Sequence, residues 1–228
     1  VYGISVSEST ISSISDKILI DVEEWTKRIL EPQYLVVWMD AVHLKVRTDG
    51  KYINNAMHVV IGLRADGLKE VLGMWLNKTE SASFWMTVLS DLKARGVEDI
   101  LIACTDNLTG FTKAIKGVFP ETITQLCIVH QIRNSSKFVV YKDRQQFCHD
   151  MKEIYTAINE EVAVDALNAL KNKWGEKYKY AIDSWENNWE NLMPFLAYPT
   201  ELRKIMYTTN TIENLNRGIR KYTKTKVQ

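Results

Sequence analysis

The sequence predicts a mixed α/β sheet: a three-strand antiparallel meander, then parallel crossover strands, with an all-helical insertion before the last helix. Three observations predict it. Two Asp-Gly pairs, Asp49-Gly50 and Asp66-Gly67, separate three β-patterned runs at hairpin spacing. After the third run the hydrophobic period lengthens from two to the helical repeat, and short apolar strands then alternate with helices. From about residue 143 to 206 the pattern becomes wholly helical.

The chain opens with "GISVSESTISSISDKI", a short helix capped by Ser7 or Ser9 with Ile11 and Ile14 on one face. A turn followed by Ser/Thr-rich helix positions suits the second helix of a helix-turn-helix, where short polar side chains meet phosphates and base edges. The first helix of such a unit is absent, so the chain reads as a fragment cut inside a DNA-binding module. A plain amphipathic lead-in helix fits equally well. A second helix, "SDKILIDVEEWTKRIL", stops before Glu31-Pro32 because the residue before a proline is biased out of the helix.

The meander strands are "YLVVWMDAVHLKVR", "NNAMHVVIGLR" and "KEVLGMWL". Residues 81–96, "SASFWMTVLSDLKARG", form a helix with Phe84, Val88 and Leu92 on its apolar stripe and Gly96 as its stop. Ile100–Thr105 is a short buried strand, "LTGFTKAIKGVF" a helix and "TITQLCIV" another strand. In the helical stretch, Val164, Leu167, Leu170 and Trp174 share one stripe, and Ile182, Trp185, Trp189 and Leu192 another. Trp174, Trp185 and Trp189 could form a stacking platform for nucleic acid. Their place on apolar stripes favours helix-bundle core. Pro194 and Pro199 break this region, and a final helix begins near "TTNTIENLNRGIRKYTK". The expected division is a helical lead-in (1–31), the α/β core (32–142), the helical insertion (143–206) and a closing helix (207–228).

At 46% hydrophobic and 25% charged, the 228 residues have a soluble composition with enough apolar content for a full core. No apolar run approaches the roughly 18–20 residues of a membrane span, and no signal-peptide pattern opens the chain, so no membrane partner is expected. Three scattered cysteines, Cys104, Cys127 and Cys148, fit reduced thiols in a cytoplasm better than a disulfide framework. A net charge of +1 means that nucleic-acid binding must rest on local clusters. The tail holds one: Arg217, Arg220, Lys221, Lys224 and Lys226. A solvated helix end with cations near its C-terminus would look the same.

Three acids stand where chemistry is expected. Period-2 alternation puts Asp40 on the strand face of Val36, Trp38, Val42, Leu44 and Val46, while Lys45 and Arg47 fall on the opposite face. A carboxylate on an apolar face is costly unless paired or bound to a metal. Asp106 lies at the carboxyl end of its strand, the edge where open α/β sheets gather ligands; an N-cap for the next helix is the alternative. Glu213 sits three residues after Asn210, a capping-box spacing, and can pair with Arg217 one turn on. It also heads a stripe with Arg217, Arg220 and Lys224, opposite Ile212, Leu215 and Ile219. If the strands of Asp40 and Asp106 are neighbours, the three carboxylates compose a site for two Mg²⁺ ions acting on a phosphodiester. Cys127 and His130 offer half of a zinc site, with no second pair at convincing spacing; a buried thiol and a supporting histidine is the simpler reading.

At these residues the sequence resembles transposases of the Mutator superfamily in their bacterial insertion-sequence form. The matching pieces are "LVVWMDAVHLKVR", "TDNLTGFTKAIKGVFPETITQLCIVHQIRN" and "YTTNTIENLNRGIRKYTKTK", in the family's order. One departure is Asn107-Leu108, where the resemblance implies glycine and a small or basic residue. The resemblance implies an RNase H-like catalytic core with an Asp-Asp-Glu triad at Asp40, Asp106 and Glu213. It further implies two divalent ions, Mg²⁺ or Mn²⁺, and strand cleavage at element ends followed by strand transfer to target DNA. Cys127 and His130 match the family's Cys-x-x-His signature and are taken as accessory. Arg133, Asn134, Arg217, Arg220 and Lys224 are candidate DNA contacts, with Lys45 and Arg47 behind them. Joining two ends implies a homodimer or higher assembly on DNA, in a bacterial cytoplasm and on the nucleoid when bound. A non-catalytic DNA-binding protein derived from a transposase, or a nuclease on the same fold, are the alternatives.

Overall fold

The computed structural model describes residues 7–48, 51–207 and 210–224, with only the backbone described at 47, 48, 210 and 224. The Asp49-Gly50 turn and Lys226 lie outside the described residues. The elements run α1 (Glu8–Lys27), β1 (Gln33–Thr48), β2 (Lys51–Leu63), β3 (Lys69–Asn77), α2 (Ala82–Ala94), β4 (Asp99–Thr105), α3 (Phe111–Val118) and β5 (Ile123–Leu126). Helices follow: α4 (Ile128–Ser136), α5 (Tyr141–Tyr155), α6 (Glu160–Glu186), α7 (Trp189–Leu192), a 3₁₀ turn (Pro194–Ala197), α8 (Thr200–Tyr207) and α9 (Asn210–Lys224).

The five strands form one sheet in the order β3-β2-β1-β4-β5. β1 pairs antiparallel with β2, and β2 with β3; β1 pairs parallel with β4, and β4 with β5. Gly67 takes a φ of +84° at the β2–β3 turn, a backbone that side-chain-bearing residues rarely adopt, and Gly96 does the same at φ +104° after α2. β1 is therefore the central strand, and helices cover both of its faces. Val37, Met39 and Ala41 pack with Trp85, Leu89 and Phe111 from the α2–α3 side. Val36 and Trp38 pack with Cys104, Leu126, Phe147, Trp185 and Ile212 from the α4–α9 side. The simple alternation of an apolar and a polar face thus fails in the first half of β1, because a central strand is buried on both sides.

Two local expectations are corrected. The lead-in is one continuous 20-residue helix, not two helices joined by a turn. No glycine or proline interrupts Glu8–Lys27, and Ser15 Oγ is satisfied in place by the Ile11 carbonyl at 2.9 Å. The run "TITQLCIV" splits after four strand residues. β4 ends at Thr105, so Cys127 N donates to Thr105 O (2.8 Å) and the chain turns into α4. Cys127 Sγ then caps that helix, accepting from His130 N at 3.5 Å.

The helical segment is fastened to the sheet by buried polar bonds. Gln125 of β5 donates to Leu192 O (2.8 Å) and accepts from Phe195 N (2.9 Å). Trp38 Nε1 donates to Ile205 O at 3.2 Å. Trp185 is fully buried, and Trp174 and Trp189 pack against the same core, so the tryptophans are structural. Val164 departs from its predicted stripe and is exposed.

Candidate active site

The β1–β4 pairing positions the first two acids. Its last parallel pair is Trp38 with Cys104. Asp40, in the middle of β1, and Asp106, just past the end of β4, each lie two residues beyond that pair, and the Asp106 charge is felt at Asp40. Asp40 Oδ1 accepts from Ala41 N at 2.9 Å, and its Oδ2 accepts from Asn216 Nδ2 at 2.6 Å. Asp106 Oδ1 accepts from Leu108 N at 3.3 Å, a local Asx-type turn. It does not cap α3, whose N-cap position is Gly110 at φ +84°.

α9 carries the third acid across the sheet. Buried Ile212, with Leu215 and Ile219, seats the helix on the core, which turns Glu213, Asn216, Arg217 and Arg220 toward Asp40. Glu213 pairs with Arg133 of α4, its Oε1 3.0 Å from Nη1, not with Arg217 as its i+4 spacing predicts. Asp40, His130, Arg133, Glu213, Asn216, Arg217 and Arg220 enclose a cavity of about 220 Å³. Three buried polar atoms around it have no hydrogen-bond partner among the described residues: Glu213 Oε1, whose contact with Arg133 is poorly aligned, His130 Nδ1 and Asn216 Oδ1. Such orphaned groups are uncommon in a folded interior.

Electrostatics mark the same place. Burial, with the Asp106 charge next, pushes the Asp40 carboxyl up to about 6. Burial also raises Asp106, and nearby His130 counters it. His130 is itself raised, first through Cys127. A fourth carboxyl, Glu80, is pushed up by burial and then by Asp106 and Asp40, while it accepts from Trp85 Nε1 at 3.4 Å. Sequence reasoning missed both Glu80 and Asn216. Glu80 is exposed by no motif; Asn216 stood in plain view, one turn past Glu213, without any signal that it meets β1.

The other predicted residues divide. Arg217 and Arg220 rim the cavity, as Arg133 does. Asn134 faces a neighbouring cleft instead, its Oδ1 accepting from Lys137 Nζ at 3.0 Å. Lys45 is exposed on the strand positions that alternate away from Asp40, and the side chains of Arg47 and Lys224 lie outside the described residues. Among the described residues no three His, Cys, Asp or Glu side chains converge closely enough to hold one ion. Cys127 is buried, and Cys148 and His149 make no set with it. No described helix is long and apolar enough to cross a membrane.

Fold and site together define a mixed α/β protein in which the middle of β1 and the end of the adjacent β4 carry two aspartates beside a late helix that bears Glu213, Arg217 and Arg220. A family model described as "Transposase, Mutator family" matches residues 1–228, and the chain belongs to that family. It is 47% identical over 222 residues to a probable transposase for an ISRM3-like insertion sequence element of Sinorhizobium fredii (strain NBRC 101917 / NGR234), covering 97% of this chain and 56% of that protein. The transposase for insertion sequence element ISRM3 of Rhizobium meliloti (strain 1021) matches at the same identity and coverage. A probable insertion-sequence transposase of Corynebacterium diphtheriae is 38% identical over 227 residues, 99% of this chain and 66% of its own length. The chain thus spans little more than half the length of the first two relatives. Among solved structures, a simian T-cell lymphotropic virus intasome in complex with the PP2A regulatory subunit B56 gamma aligns over 52% of this chain and 44% of its own. The identity is 17% and the TM-score 0.31.

Proposed function

We propose that this chain is the catalytic part of a DNA transposase that cleaves strands at element ends and transfers them to target DNA. One observation carries the reading: Asp40 of β1 and Asp106, just past the end of the adjacent β4, lie near enough for the charge of one to be felt at the other, and Glu213 lines the same cavity as Asp40. The strand order, with β3-β2-β1 antiparallel and β1-β4-β5 parallel, supports an RNase H-like core.

Asp40, Asp106 and Glu213 fit a pair of Mg²⁺ or Mn²⁺ ions by donor chemistry: all three offer hard carboxylate oxygens, two of the carboxyls are raised by burial, and Glu213 would exchange its Arg133 contact for the ion. Bound divalent ions would activate the attacking oxygen and stabilise the leaving one. The chain's own groups do the rest. Asn216 fixes the rotamer of Asp40 through its 2.6 Å bond. Arg217 and Arg220 offer fixed guanidinium charge at the cavity rim, suited to phosphate oxygens. Arg133 holds Glu213 in reserve, and His130 offsets the charge of Asp106. A dimer or larger assembly holding both element ends follows from the reaction.

The test is an Mn²⁺ titration by electron paramagnetic resonance, with and without a short DNA duplex, on the wild type, Asp40→Asn, Asp106→Asn and Glu213→Gln. Binding that weakens in all three variants supports one shared site. Equal binding in all four proteins removes the catalytic reading and leaves the acids as structural.

A further inference from the structure

A second cleft, of about 430 Å³, opens between α4 and the second half of α6, beside the residue that follows Asp106. Its size falls in the roughly 300–1,000 Å³ range of sites that take a small molecule or a single nucleotide unit. Asn107, Asn134, Lys137, Phe138, Tyr180 and Asn187 line it. Its wall is pre-set by Gln131, 2% exposed, whose Nε2 donates to Ser184 Oγ at 2.5 Å.

Two features distinguish it from a solvated crevice. Phe138 and Tyr180 pack ring against ring, with centroids 4.5 Å apart and planes tilted by 58°, yet they are 52% and 67% exposed. An aromatic pair left in water is apolar surface held ready for a flat partner. Around it stand carboxamides from three separate segments, Asn107, Asn134 and Asn187, each able to donate and accept. α6 leaves helical geometry at Tyr178 (φ −130°, ψ 40°), two residues before Tyr180, so a break in the helix immediately precedes the aromatic wall. The one acid there, Asp183, is already paired with Lys179 Nζ at 2.5 Å.

A π-face, amide donors and acceptors, and one lysine are the groups that recognise a nucleobase and its adjoining phosphate. The cleft is concave and walled by two helices, so a base must leave its stack to enter. We propose that it receives one unstacked nucleobase of the strand held at the carboxylates. Asn107 follows Asp106 in the chain, so the base lies beside the phosphate under attack. The proposal rests on the transposase reading and adds a specificity site to it.

The experiment compares a blunt, fluorescein-labelled duplex with the same duplex bearing one unpaired 3′ nucleotide that carries 2-aminopurine. Fluorescence anisotropy gives both affinities, and 2-aminopurine emission reports stacking on protein rings. The wild type is expected to prefer the overhang duplex by at least about fivefold, the stacking of one base, and to quench the probe. Tyr180→Ala and Phe138→Ala lose the preference and the quenching. Tyr180→Phe, which keeps the ring, retains both and controls for folding. Equal affinity for the two duplexes without quenching, or a preference that survives both alanine variants, overturns the proposal. Failure to bind either duplex overturns it together with the DNA reading, which the Mn²⁺ titration judges separately.

Discussion

The two faces of β1 are built from alternate residues of one strand and do opposite work. Toward α2 and α3 it presents Val37, Met39 and Ala41 to a core of Trp85, Leu89 and Phe111, with His58 packed on Phe84 and Trp85 as a buried polar group. Toward α4–α9 it presents Val36 and Trp38 and then Asp40, and the polar groups buried nearby include Gln125, Gln131, Ser135 and Asn216. The first face stabilises by close packing. The second spends part of that stability on holding carboxylates where water is scarce. The proposed site sits on the face that buries the carboxylate of Asp40.

Substitutions on the two faces should therefore differ in size and in sign. The largest effect belongs to the closed face: Leu89→Ala, at a fully buried position, should cost about 2–5 kcal/mol in urea unfolding and leave Mn²⁺ binding by the folded fraction unchanged. Asp40→Asn should act in the opposite direction. Folding raises its carboxyl from the ordinary 3.8 to about 6, so the folded state binds the proton more tightly than the unfolded chain does. The wild type then loses stability as pH rises from about 4 through 6, by up to about 3 kcal/mol, and the neutral variant escapes that loss. In metal-free buffer the variant should melt above the wild type at pH 7.5, and the gap should close as pH falls toward 4. A wild type unaffected by pH over that range would mean that Asp40 is fully satisfied without a cation.

Asn216→Ala should cost about 1–2 kcal/mol, because the 2.6 Å bond to Asp40 is lost from a buried site. It should also weaken Mn²⁺ binding about tenfold, as loss of a partner that orients a ligand does. The smallest stability change is expected for Arg133→Ala, under about 1 kcal/mol, since that guanidinium is 56% exposed. Freeing Glu213 should nevertheless tighten Mn²⁺ binding. If binding is unaltered, Glu213 is not a ligand and the open face has only two working acids.

Much of the architecture was legible because it is written locally. Asp66-Gly67 and Gly96 announce reversals through backbones that only glycine adopts readily, and the shift from period two to the helical repeat marks the passage from meander to crossover. Asp40 was legible by alternation, and the parallel pairing of β1 with β4 brings Asp106 near enough to act on its carboxyl. What could not be read was set by approach between distant segments. Glu213 finds Arg133 on α4 before Arg217 on its own helix, because packing of Ile212 decides which way the side chain leans. Glu80 joins the acids from the loop that follows β3, where the charges of Asp106 and Asp40 act on it. Cys127 looked like a strand residue and became a cap because its strand partner had already run out.

The bond between Asp40 and Asn216 spans 176 residues. A chain emerging from the ribosome shows both aspartates long before α9 exists, and domains take shape from the N-terminal side as synthesis proceeds. Closing so long a loop also comes late, since its entropy must be met by contacts already made. Under the proposed function, a half-made copy, or one cut short by a frameshift before α9, has two acids and no finished site. Chain order then acts as a safety catch: the proposed site can be armed only once α9 has been made, and copies broken before it stay harmless to the DNA around them.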